Sequence, residues 1–151
     1  MRKRIPLGIA LFGTLAACGV QSPGPPPTSE EGALSGTSWQ FVEFRSSDDQ
    51  IGTVAPPDPE NYTMALGADG QASLQVGCNR ASGPWSAESS GGESGTFTFG
   101  TMAMTRAYCP PPSMDEQIAR DTEFIRTFVL QVDRLYLDLM ADGGQYVWER
   151  M

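Results

Sequence analysis

The sequence predicts a mainly β (α+β) fold: a small antiparallel sheet or partial β-barrel with one helix packed against it. Three observations carry this. Apolar residues alternate with polar ones in short runs between Trp39 and Trp148. Asp69-Gly70 and Asp142-Gly143 separate neighbouring runs, as hairpin turns do. One stretch alone, after Pro110-Pro111-Pro112, spaces its apolar residues by threes and fours.

Trp39 to Phe44 reads as a first strand, although Trp39 and Phe41 alternate only partially with Gln40 and Val42. A polar, Pro-rich segment from Ser46 to Glu60 follows. Tyr62, Met64 and Leu66 alternate cleanly, Ala68-Asp69-Gly70 turns the chain, and Ala72, Leu74 and Val76 carry the next strand. Gly83-Pro84-Trp85 opens another. A Ser/Gly-rich loop, Glu88 to Gly95, leads into Thr96-Phe97-Thr98-Phe99, whose two Phe side chains share a face. The helix begins with Ser113 and Glu116 as a capping box, and Asp115 sits at the positive end of its dipole. Ile118, Thr122, Ile125 and Phe128 or Val129 fall on one side, so the helix is expected to end near Thr127. Leu135, Leu137 and Leu139 then alternate with Tyr136 and Asp138. After the turn Asp142-Gly143-Gly144, Tyr146 and Trp148 complete a last hairpin. Four or five antiparallel strands, a helix and two strands can close into a partial barrel, with the helix over its apolar mouth.

The start of the chain reads as an address. Arg2, Lys3 and Arg4 precede an apolar run, Ile5 to Leu15, and the small residues Ala16 and Ala17. This is the pattern of a secretory signal, and the run is too short to span a bilayer. Leu15-Ala16-Ala17-Cys18 resembles the lipobox of bacterial lipoproteins. That resemblance implies a diacylglyceryl thioether on the Cys18 sulfur, cleavage before it, and acylation of the new amino group. The alternative is an ordinary cleaved signal with a buried Cys. Each buried methylene contributes about 0.8 kcal/mol, and stable anchoring takes two or more chains. Gly19, in place of the Asp that marks inner-membrane retention in enteric lipoproteins, favours the outer membrane over the inner.

The expected organisation is therefore a signal peptide over 1–17, a lipidated Cys and Pro-rich tether over 18–33, and one folded domain over 34–151. The tether is polar and aperiodic; fifteen such residues reach roughly 20 Å if flexible and about 45 Å as polyproline.

Removing Arg2, Lys3 and Arg4 from the 10 cations leaves seven against 18 acids, a net charge of −11. Such a chain offers no phosphate-neutralising patch, so nucleic acid is not an expected partner. It is also repelled by anionic headgroups, so membrane contact falls to the acyl chains on Cys18. The chain has no histidine. That removes Ser-His-Asp and Cys-His catalysis and His-based zinc sites.

Three further pieces carry a family resemblance: the opening Leu34-Ser35-Gly36-Thr37-Ser38-Trp39; Gly77-Cys78-Asn79-Arg80 with Ser82-Gly83; and Met102-Ala103-Met104-Thr105-Arg106 with Cys109-Pro110. In order and spacing they resemble the META domain, the family of the heat-shock lipoprotein HslJ. The resemblance spans nearly all of 34–150 and leaves 46–60 unmatched. It implies a small β-rich fold with one helix, similar to the cracked barrel of secretin pilot lipoproteins, which can hold a lipid. It implies an association with envelope stress and brings no catalytic residues.

With Cys18 assigned to lipid, Cys78 and Cys109 remain, and in an oxidising compartment they are expected to form a disulfide. The alternatives are a redox or metal-binding pair and two unpaired buried thiols. Asn79 and Arg80 could make polar ligand contacts, with Arg80 and Arg106 as anion-binding forks. The plainer reading gives Asn79 a local turn hydrogen bond and Arg80 a carboxylate partner. Thr105 could brace the chain before the prolines, and Met102 and Met104 read as core. Asp115 and Glu116 diverge on a helix and read as capping. The expectation is a non-enzymatic, cofactor-free, lipid-anchored envelope protein facing the periplasm, with a binding or structural role and an unidentified protein partner. The alternatives are a carrier of an apolar ligand in the half-barrel and an assembly pilot for an outer-membrane complex.

Overall fold

The structure, a computed structural model, describes residues 30–151. The signal segment, Cys18 and the tether up to residue 29 lie outside the described residues. The strands are β1 (Thr37–Arg45), β2 (Thr53–Val54), β3 (Tyr62–Leu66), β4 (Gln71–Val76), β5 (Asn79–Ser89), β6 (Ser94–Phe99) and β7 (Ala103–Met104). After helix α1 (Asp115–Asp121) come β8 (Ile125–Gln131), β9 (Arg134–Leu139) and β10 (Gln145–Arg150). Eight of them form an antiparallel barrel in the order β1-β3-β4-β5-β6-β8-β9-β10. The mainly β class with one helix stands. The barrel is closed rather than partial, because β10 pairs back onto β1 from Trp39–Arg150 to Arg45–Gln145. Closure removes the exposed edges of a sheet of this length. The two-residue strands β2 and β7 lie beside β1 and β5.

Two bulges shape the barrel. In β1 the register shifts between Phe41 and Glu43, so Val42 is the extra residue and Phe41 and Phe44 both point inward. In β8 it shifts between Ile125 and Thr127, and Ile125 and Phe128 both point inward. A bulge thus spaces two inward residues by three, the interval of a helix. This corrects the expected helix to Thr127. α1 ends at Asp121, a 3-10 turn covers Thr122–Phe124, and Ile125, Phe128 and Val129 belong to a strand. The capping box does not form either. Met114 is the N-cap, without a side-chain bond, and Ser113 Oγ donates to Asp115 Oδ1 at 2.6 Å.

Gly83-Pro84 lies inside β5 instead of opening a strand. A Cβ on Gly83 would come within 2.6 Å of the Thr101 carbonyl, so glycine there admits the crossing chain. The Asp69-Gly70 hairpin forms as expected, with Gly70 at φ +75° and Gly67 N–H donating to Gln71 O at 2.8 Å.

The interior is filled by side chains. Trp39, Phe41, Tyr62, Phe97, Phe128 and Tyr146 are fully buried, and the Phe41 ring lies 5.2 Å from Trp148 and 5.6 Å from Tyr146. Each such burial contributes about 1.5–3 kcal/mol. Between Ile118 and Trp148 a cavity of about 10 Å³ remains, and about 80 Å³ more opens beneath α1 beside Leu74, Val76 and Ile118. The cavity beside Trp148 holds about one water molecule at most, so the centre of the barrel is filled by side chains.

The two ends of the barrel differ. At one, a 3-10 turn over Glu30–Ala33 brings the chain in from the tether, and Leu34 is buried beside the start of β1. At the other, where β1 ends and β3 and β10 begin, α1 covers the mouth with Met114 and Ile118 buried. The helix therefore sits where the sequence placed it, although it is two turns long.

Candidate functional site

The motif residues converge at the helix-covered end. Val76 pairs with Asn79, so Gly77-Cys78 is a two-residue turn, and Gly77 has φ +64°. A side chain there would press on Ser113 Oγ and Tyr62 Oη, each 3.2 Å away. Cys78 and Cys109 are joined in a disulfide with Cα atoms 5.6 Å apart. Asn79 is buried and uses its whole amide. Its Nδ2 donates to Ala107 O at 2.9 Å and Asp115 Oδ2 at 3.0 Å, while Oδ1 accepts from Ala107 N at 2.8 Å and Thr105 Oγ1 at 3.0 Å. These partners lie 26 to 36 residues away, so the bonds are neither a local turn nor a ligand contact. Thr105 Oγ1 also accepts from Arg80 N at 2.9 Å, the bracing role expected of it. Asp115 lies in the first turn of α1, as expected, and is at the same time a buried partner of Asn79.

Arg80 and Arg106 do not come together. Arg80 borders a surface hollow with Ser38, Thr63 and Gln75, and Arg106 borders another with Met102 and Met104. Among the described residues neither makes an ion pair, so the carboxylate partner expected for Arg80 is not found. Met102 and Met104 pack against the core.

A feature missed in the sequence lies beside α1. A cleft of about 490 Å³ opens at the helix-covered mouth, with Phe44, Ile51, Phe124, Leu139 and Met140 as its apolar wall. Ile51, Phe124 and Met140 are 58%, 38% and 45% exposed, although all three are large and apolar. Backbone bonds hold Ile51 in place: its N–H and that of Gly52 both donate to Asp48 O at 3.0 Å. Across the cleft, Ala141 and Asp142 both have φ 54°. The polar wall is Gln117, Arg120 and Asp121. Tyr146 Oη donates to Asp121 Oδ2 at 2.7 Å, and Arg120 Nε meets Asp121 Oδ1 at 3.1 Å. Burial first, and then the Asp121 carboxylate, push the Tyr146 phenol far above the ordinary tyrosine range. Tyr146 therefore stays protonated and acts as a fixed donor. The cleft is assembled from three segments far apart in sequence, so no local pattern announces it.

Among the described residues no helix is long and apolar enough to cross a membrane, and no three His, Cys, Asp or Glu side chains cluster as metal ligands.

Solved structures share the architecture. A protein from Burkholderia xenovorans, solved by NMR, superposes with a TM-score of 0.65 at 21% identity over 93% of this chain and 99% of its own. A DUF4847 family protein from Bacteroides vulgatus superposes with a TM-score of 0.55 at 14% identity, over 79% of this chain and 95% of its own. These likenesses speak to the fold alone. Among curated proteins none matches. The META domain family model matches residues 32–149, which include the Gly77-Cys78-Asn79 turn, its disulfide and the closing strand. The chain belongs to the META domain family.

Proposed function

We propose that this META-domain protein is a lipid-anchored, non-enzymatic component of a bacterial envelope, facing the periplasm and serving a binding or structural role, in envelope stress among other conditions. The observation that carries the reading is the segment Arg2 to Cys18, with its cations, apolar run, small residues and cysteine in lipobox order. The Cys78–Cys109 disulfide supports an oxidising compartment. The acidic surface supports attachment through acyl chains rather than headgroup charge.

The test is fractionation of cells expressing the full chain alongside Cys18→Ser, with an alkyne-bearing palmitate as label. The wild-type chain is expected to take up label and sediment with outer membranes, and the variant to lose both. Membrane retention of unlabelled Cys18→Ser would overturn the anchor.

Between the alternatives, the filled interior disfavours an apolar carrier and the external cleft favours a role as an assembly factor that grips another protein. If the protein is a carrier, native mass spectrometry of the membrane-extracted chain will show a bound lipid.

A further inference from the structure

We infer that the cleft beside α1 is a docking groove for a cationic amphipathic segment of another protein. This deepens the binding role proposed above and rests on it for the partner's location. Three observations carry it. First, Ile51, Phe124 and Met140 are exposed around one concavity, where isolated apolar residues would need no explanation. A volume of about 490 Å³ accepts a few large apolar side chains from one face of a helix.

Second, the segments that carry the cleft residues are acidic. Asp48 and Asp49 precede Ile51, Glu123 precedes Phe124, and Asp142 lies between the cleft residues Ala141 and Gly143. All four are exposed, and among the described residues none is in an ion pair. Two cations lie nearby, and one of them keeps its charge. Arg120 is paired with Asp121, while Arg126 donates to the Glu123 and Ile125 carbonyls at 2.7 Å and lies 3.5 Å from Met140 Sδ with its charge unpaired among the described residues, so the four exposed carboxylates exceed it by three. An apolar floor beside such segments suits apolar anchors flanked by Lys or Arg, and it repels an anionic bilayer or a second copy of this acidic chain.

Third, the groove lies clear of the end where the folded chain begins. The first buried residue of the domain, Leu34, lies at the Thr37 end of β1 and the groove lies at the Phe44 end, so the groove and the entry of the folded chain occupy opposite ends of the barrel.

The probe is a Leu/Lys peptide of about 14 residues, with Leu at i, i+3, i+4 and i+7. It is compared with the same peptide carrying Glu for Lys and with a scrambled Leu/Lys sequence. Each is titrated into the isotopically labelled mature chain carrying Cys18→Ser and followed by NMR. Saturable shifts are expected at Ile51, Phe124 and Met140 with the first peptide, and at least tenfold weaker binding with the other two. Ile51→Asp should abolish the shifts. Asp48→Lys with Asp49→Lys, which leaves the floor intact, should weaken binding about fivefold or more. Equal binding of the scrambled peptide, shifts elsewhere on the barrel, unchanged binding by both variants, self-association at the groove, or binding to anionic vesicles in place of the peptide would each overturn the inference. Because the assay is in solution, its failure leaves the Cys18 anchor standing, and loss of the anchor leaves the groove standing.

Discussion

Tyr146 on the last strand donates its phenolic hydrogen to Asp121 at the end of α1, at 2.7 Å. That bond ties the strand that closes the barrel to the helix that covers it. Gln117 Nε2 donates to Tyr146 Oη at 3.3 Å, a second link between the same two elements.

Tyr146→Phe should therefore cost about 1–3 kcal/mol, because it leaves a buried Asp121 carboxylate oxygen without its donor. Urea unfolding at pH 7 measures this. The pH dependence has a definite sign. The folded phenol ionises well above its ordinary value, so its contribution is complete below about pH 10, where an unfolded tyrosine ionises. Above that pH the unfolded chain releases a proton that the folded chain keeps, and stability falls. Stability curves from pH 8 to 11 should show a shallower alkaline decline for Tyr146→Phe than for the wild type. Parallel curves would contradict the assignment.

Asn79 holds the segment before α1 through three hydrogen bonds to Thr105 and Ala107, and a fourth reaches the Asp115 carboxylate at 3.0 Å. Asn79→Asp replaces a donor with a second carboxylate. It should destabilise more than Asn79→Ala at pH 7, since two close carboxylates cannot both ionise cheaply. A proton on either carboxylate relieves the repulsion, so the extra destabilisation is largest at neutral pH and shrinks as pH falls. The gap between Asn79→Asp and wild type should narrow from pH 7 to pH 4. The gap for Asn79→Ala should change much less. Chemical denaturation at the two pH values separates them.

The disulfide closes a loop of sequence separation 31. By loop entropy that corresponds to about 3–4 kcal/mol. Cys78→Ala with Cys109→Ala should lose about this much in urea, and wild type with reductant should match it. The reduced protein should still fold, since the barrel core contains neither cysteine. A fully unfolded double variant would show that the cross-link is needed to form the barrel.

Most strands were legible because a barrel wall has one wet face and one dry one. Tyr62, Met64 and Leu66, and likewise Leu135 and Leu137, alternate without interruption and lie where alternation puts them. The Gly77-Cys78-Asn79 residues were legible as a unit, but their role was not, because Asn79 bonds to partners some thirty residues on. Closure was hidden for the same reason: Trp39 meets Arg150 across nearly the whole domain. The strand β8 was misread for a local reason. Its bulge puts Ile125 and Phe128 three apart on one face, and Ile118 and Thr122 before them continue that rhythm.

The bulge in β1 makes a test of this geometry. Phe41 and Phe44 both face inward because Val42 is extra. Deleting Val42 leaves Phe41, Glu43 and Phe44 in plain in-out-in alternation, and Trp39 keeps its face. The deletion removes local twist but inverts nothing, so the variant should fold with a loss of no more than about 2 kcal/mol. Deleting Gln40 is different. If the bulge stays, Trp39 moves to the outer face; if the bulge is absorbed, Phe41 does. Turning out either fully buried aromatic costs about 3–5 kcal/mol. Tryptophan emission and urea midpoints of the two deletions compare them directly. Equal damage would mean that β1 does not set its inward face through the bulge at Val42.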